Sequence, residues 1–235
     1  MIAIRRICFV LALSVLAASC ARPTRPETTP PGIPAPEAID TRGATVYRID
    51  AADSTVHILV YRGGTLARLG HNHVVTSRSL AGRVWVHPEL SRSGFELSLP
   101  VQSLIVDDDG ARQAAGDDFP PGVPRKDIEG TRNNMLGEQV LDAEHHPTIT
   151  VRSKQIEGSR SAPLVTASIT IKGIARDVHL PATLVIDGAR LRAQGELEIL
   201  QSDFGMKPFS VALGMLAVQD RLRIKFDLVA ERVAS

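Results

Sequence analysis

Four histidines fall in two tight pairs, and they are the side chains here best suited to chemistry. His71 and His73 flank Asn72, and His145 and His146 are adjacent. Side chains two apart on an extended segment point the same way, so His71 and His73 present their rings to one side. A neutral imidazole donates from one nitrogen and accepts at the other, which suits a carbonyl or an alcohol. Imidazole also suits zinc or copper. Three readings stand open: ordinary hydrogen bonding at a barrel mouth, contact of His71 and His73 with a ligand's head group, or a metal site. An H-x-H pair with no cysteine set at zinc spacing is no metal signature. No metal is therefore assigned, and a site built from His71, His73, His145 and His146 is the alternative. His57, His87 and His179 stand singly in strand-like stretches and read as packed or exposed.

The other polar candidates read as structure. Asp107-Asp108-Asp109-Gly110 lacks the further ligands of a calcium loop and reads as a solvated turn. Asp203, before Phe204-Gly205, reads as a turn residue bonding its own backbone. Ser77 and Ser202 have no G-x-S-x-G context. No nucleophile, base and orienting acid fall into a recognisable arrangement, so the sequence predicts a protein that is not an enzyme and has no catalytic residues.

The elements that would position the histidines are strands. From Pro163 to Leu200 the chain alternates: Val165, Ala167, Ile169 and Ile171 face one way, and Thr166, Ser168, Thr170 and Lys172 the other. The pattern resumes after Gly173, turns at Asp187-Gly188, and continues with Leu191, Ala193, Leu197 and Ile199. Period-two alternation means strands with one buried face, and Asp-Gly between such runs signals a hairpin. Further strands are expected at 46–50, 56–61, 82–87, 95–101, 148–152 and 222–228, with a turn at Asp53-Ser54. Val56, Ile58 and Val60 alternate with His57, Leu59 and Tyr61, so both faces of that strand are to be covered. Pro124 to Leu141 reads as two short helices, broken at Gly130 and Gly137, that cross a barrel mouth. The expected fold is all-β with a short helical insertion: an extended antiparallel, lipocalin-like barrel of about eight strands. That number encloses side chains or one ligand. Ile169, Ile171, Leu184 and Leu197 are expected to line the interior.

The chain has 235 residues, with 27 basic against 26 acidic side chains. Nucleic-acid binding needs a concentrated basic face, so no nucleic-acid partner is expected. One Trp, two Tyr and six Phe give little for base stacking. Residues 1–19 read as a signal peptide: Arg5-Arg6, an apolar run from Ile7 to Leu16, then Ala17-Ala18-Ser19. The run is too short for a permanent span of ~20 residues. Small residues followed by Cys20 resemble a bacterial lipobox, in which that cysteine is lipidated, although Ala17 stands where Leu is usual. Residues 20–44, with six prolines between Pro23 and Pro36, read as a stiff tether from a membrane. Ala21 is not the Asp that tends to retain lipoproteins at the inner membrane. The expected location is the periplasmic side of a bacterial envelope, anchored at the outer membrane through Cys20. The domain is expected over 45–233.

Several short pieces then coincide. Tyr47-Arg48-Ile49-Asp50 with Ser54-Thr55-Val56 resembles the opening of the YceI-like family. Leu141-Asp142-Ala143-Glu144 with Pro147 and Ile149 resembles its middle segment. Ile169-Thr170-Ile171-Lys172-Gly173 and Ser202-Asp203-Phe204-Gly205 resemble its later signatures, all in order over 45–231. The resemblance implies a lipocalin-like barrel, periplasmic or secreted, holding a polyisoprenoid chain such as a quinone tail. It implies no cofactor beyond such a bound lipid. The pair Gly70-His71 matches a subset of the family; many members carry an aromatic there.

Overall fold

The computed structural model describes residues 41–233. The expected signal peptide, Cys20 and the tether up to residue 40 lie outside the described residues.

Strands dominate: β1 (Thr45–Gly63), β2 (His73–Ser77), β3 (Ala81–Val86), β4 (Gly94–Pro100) and β5 (Ile105–Val106) precede two helices, α1 (Asp109–Ala115) and α2 (Arg125–Leu136). Then come β6 (Thr148–Gly158), β7 (Pro163–Ile171), β8 (Ile174–Asp187), β9 (Arg190–Leu200), β10 (Ser210–Val211) and β11 (Leu216–Arg232). Antiparallel pairing runs β1-β3-β4-β6-β7-β8-β9-β11 and returns to β1, a closed barrel of eight strands. Closure leaves no free edge along this ring. The short strands β2, β5 and β10 lie outside it. β3 pairs with the first residues of β1, Thr45 to Arg48, while β2 pairs further along, Val56 to Val60, and carries β5 on its far side.

Alternation translates into facing. Along β7, Val165, Ala167, Ile169 and Ile171 are buried, and the residues between them are more exposed. Leu184 and Leu197 also point inward but are only half-buried, because they pack against the core on one side and border the interior space on the other. The two apolar faces of β1 divide as the sequence suggests. Val56, Ile58 and Val60 face the interior, whereas Leu59 and Tyr61 pack outside with Val74, Ala111 and Phe119, beneath α1.

Three local expectations are corrected. Asp53-Ser54 does not end a strand: β1 runs through it, with a pairing shift between Asp50 and Thr55. The irregularity is held by Ser54, whose buried hydroxyl donates to Val229 O and accepts from Val229 N, and by Asp50, whose carboxylate accepts from Ala52 N. Gly130 does not break its helix. α2 runs unbroken to Leu136 because packing of Ile128, Met135 and Leu136 on the core outweighs the ~1 kcal/mol cost of one interior glycine. The other helix arises instead in the acidic stretch read as a turn, where the Asp108 carboxylate caps α1 by accepting from Ala111 N at 3.0 Å.

Segments beyond α2 fasten it over one end of the barrel. Lys172, in the β7–β8 turn, donates to Glu138 O at 2.6 Å, and Lys207 N donates to Gln139 O at 2.8 Å. Asp203 lies in a single-turn 3-10 helix closed by Gly205, whose φ of 68° is the left-handed value that glycine adopts freely.

Candidate functional site

The barrel surrounds an apolar cavity of about 360 Å³. Its wall includes Val56, Ile58 and Val60 of β1, together with Ile169, Ile171, Leu184 and Leu197 from β7, β8 and β9. Trp85, Phe95 and Phe226 supply aromatic surface, and Thr131, Asn134 and Met135 of α2 complete the lining at the capped end. Among the described residues that line it, His73 alone is ionisable.

His73 is held by a buried charge cluster. It opens β2, opposite Val60 of β1. β5 pairs with β2, and Asp107 follows β5 directly, donating its N–H to Val74 O at 2.8 Å. Asp107 has φ 54°, so the chain turns sharply towards α1 there and its carboxylate folds back onto β2. One carboxylate oxygen accepts from Val74 N at 2.9 Å and from the Arg112 guanidinium; the other lies 2.7 Å from His73 Nδ1. Arg112 reaches across from α1 and also donates to Asn72 O at 2.8 Å and Pro120 O at 2.7 Å. Asp107 and Arg112 side chains are both wholly excluded from solvent. His71 stands beside them: its ring centre is 4.5 Å from that of His73, and its Nε2 is 3.9 Å from the Asp107 carboxylate. That Nε2 is buried without a hydrogen-bond partner.

These contacts set the protonation states. Burial alone would raise the Asp107 carboxyl, but hydrogen bonds from His73 and Val74 N, with the charge of Arg112, hold it below the usual range. Burial, reinforced by His73, pushes His71 below its ordinary value.

Asp107 thus corrects the expectation of a solvated turn. The sequence shows three consecutive aspartates, but only Asp107 comes to lie under α1, where Arg112 compensates its charge. Asp107 and Arg112 are the site residues that sequence reasoning missed; an acid and a base five apart across a helix start was the signal that could have found them.

The two histidine pairs address different carboxylates, Asp107 and Asp142. His145 Nδ1 sits 2.8 Å from Asp142, and His146 Nε2 is 3.9 Å from the same carboxylate. Both belong to a turn in which His145 N and His146 N donate to Asp142 O, and the His146 ring lies against Gly173. Among the described residues, the compact group of possible metal ligands is His71, His73 and Asp107. The hydrogen bond that the Asp142 carboxylate accepts from His145 raises that imidazole above its ordinary value. Of the single histidines, His57 is half-buried, with its pKa lowered by burial and by Lys225; His87 is half-buried and accepts from Glu89 N; His179 is exposed beside Thr166. Ser77 hydrogen-bonds Ser103, and Ser202 hydrogen-bonds Asp220, so neither hydroxyl meets a histidine.

Comparison with known proteins settles the lineage. The YceI-like domain model matches residues 47–230. This chain belongs to the YceI-like family. A crystal structure of Burkholderia cenocepacia BcnA shares the YceI-like barrel, with a TM-score of 0.57 and 22% sequence identity, covering 77% of this chain and 98% of BcnA. A mutant of the Campylobacter jejuni YCEI protein aligns with a TM-score of 0.50 and 13% identity, over 68% of this chain and 85% of that one. At these identities the likeness is one of fold. No curated protein matches the chain.

Proposed function

We propose that this YceI-like protein is an envelope lipoprotein that binds an apolar lipid chain, a polyisoprenoid or an isoprenoid quinone, inside its barrel, as carrier, store or sensor. The observation that carries the reading is the cavity: a closed barrel whose interior is predominantly apolar, with His73 as its one ionisable lining residue among those described. Each methylene-sized group moved from water into such a space gains about 0.8 kcal/mol. A long chain therefore gains much with no polar partner along its length. Few polar groups are needed, and those belong at one end, where a head group sits. His73, fixed by Asp107, offers a hydrogen bond to a head-group carbonyl or hydroxyl, with His71 beside it. Binding, not catalysis, is the role.

Lipidation of Cys20 and the proline-rich segment after it would hold the domain at the periplasmic face of the outer membrane. Cys20→Ser is expected to move the protein from the membrane to the soluble fraction with its melting temperature unchanged; continued membrane partitioning would contradict the anchor. Native mass spectrometry of protein released gently from bacterial envelopes tests the ligand. A copurifying apolar molecule of isoprenoid mass is expected, and a bare chain in every preparation would count against the proposal.

A further inference from the structure

We propose that His71, His73 and Asp107 form a three-ligand site for a divalent transition cation of the zinc type, at the polar end of the cavity. These three side chains form the site whether or not a lipid fills the barrel.

The donor set is two imidazoles and one carboxylate, which suits zinc and its first-row neighbours. Bonds of ~2.0–2.1 Å at tetrahedral angles place ligand atoms about 3.3 Å apart. Here the Asp107 oxygen is 2.7 Å from His73 Nδ1 and 3.9 Å from His71 Nε2, values that bracket that spacing. The ligand atoms of all three residues lie within 4.8 Å of one another. Small side-chain rotations would equalise the distances. His73 would bind through Nδ1 as its Nε2–H tautomer, the cation taking the place of the proton now shared with Asp107.

A second observation points to a ligand independently. His71 Nε2 is buried and has no hydrogen-bond partner, and an unsatisfied buried nitrogen is costly unless something fills its direction. A cation between His71 and Asp107 would do so. The remaining contacts fit a supporting shell. The oxygen of Asp107 facing the histidines accepts nothing else, because Val74 N and Arg112 both occupy the other oxygen. Such outer contacts fix a ligating carboxylate in place. Arg112 also opposes a second positive charge, so it limits affinity while it sets geometry. His145 and His146 lack this frame: both rings address Asp142, and His145 is largely exposed.

The test is calorimetric titration of Zn²⁺ into the chelator-treated full-length mature protein, with His71→Ala and the double variant His145→Ala, His146→Ala alongside. His71→Ala removes a ring with no hydrogen bond of its own, so its fold should survive, and a thermal melt checks this. One equivalent of zinc is expected on the wild type, at least tenfold weaker on His71→Ala, and unchanged on the double variant. Absence of saturable binding by the wild type, equal affinity in His71→Ala, or loss of binding in the double variant would each overturn the proposal. The same titration on protein stripped of lipid should give the same stoichiometry; if zinc binding vanished with the lipid, the three residues would not be sufficient ligands and the proposal would fall.

Discussion

Two histidine–aspartate pairs in this molecule have almost the same geometry and opposite settings. His73 lies 2.7 Å from Asp107, and His145 lies 2.8 Å from Asp142. Asp107 is sealed from solvent against Arg112, beside an apolar cavity. His145 keeps 71% of its side-chain surface exposed. Contact distance therefore says little about what a pair is worth. Water screens the outer pair, whereas the inner one carries charges that cannot be left unpaired.

The largest effect should come from breaking the inner pair's compensation. Arg112→Met leaves Asp107 as a buried, partly uncompensated anion and should lower stability by about 3–5 kcal/mol. Asp142→Asn, on the outer pair, should leave the urea midpoint almost unmoved. Equal midpoint shifts for the two variants would mean that burial does not distinguish the two pairs.

A smaller but still large contrast is expected in the barrel wall. Ile171 faces the cavity and Thr170 faces outward. Ile171→Asp buries a polar group without a partner and should cost several kcal/mol, roughly 2–7, with loss of any bound lipid. Thr170→Asp should be far milder. Similar thermal melts for the two would mean that the facing of β7 is wrong.

The smallest effect is also the most local. In metal-free protein, the ring protons of His71 should titrate below about 6.5 and those of His145 above it, as read by NMR. The consequences for stability have opposite signs. His71 is depressed on folding, so the unfolded chain takes up the proton first, and stability falls as pH drops from about 6.5 towards the folded value. Asp107 behaves alike at lower pH: its contribution is complete above about 4 and is lost as pH falls through its depressed folded value. His145 is raised, so its contribution is complete below about 6.5 and is lost as pH rises through its folded value. Titration of both histidines on the same side of 6.5 would erase the distinction between the pairs.

Much of the fold was legible because the barrel depends on a period of two. Val165 to Ile171 alternate so regularly that facing and pairing follow, and the short pieces resembling the YceI-like family fall where that family's domain model matches. The turn at Asp187-Gly188 was readable for the same local reason. What escaped the sequence depends on distant partners. Ser54 keeps β1 continuous by bonding Val229, far away in the chain. Gly130 stays helical because α2 packs on the barrel. The site was half legible. H-x-H announced two rings on one side, but nothing in the spelling of three aspartates says that Asp107 turns inward and the next two stay outside. Nor does the adjacency of His145 and His146 show that Asp142 claims both.

If the barrel's interior holds a long apolar chain, affinity must depend on the length of that chain. Delipidated protein would be titrated with isoprenoids of one head group and increasing numbers of five-carbon units. Burial at about 0.8 kcal/mol per methylene-sized group predicts that affinity climbs steeply with each unit until the cavity is filled, then levels off. Affinity that is independent of chain length would contradict the account and place recognition in the head group alone.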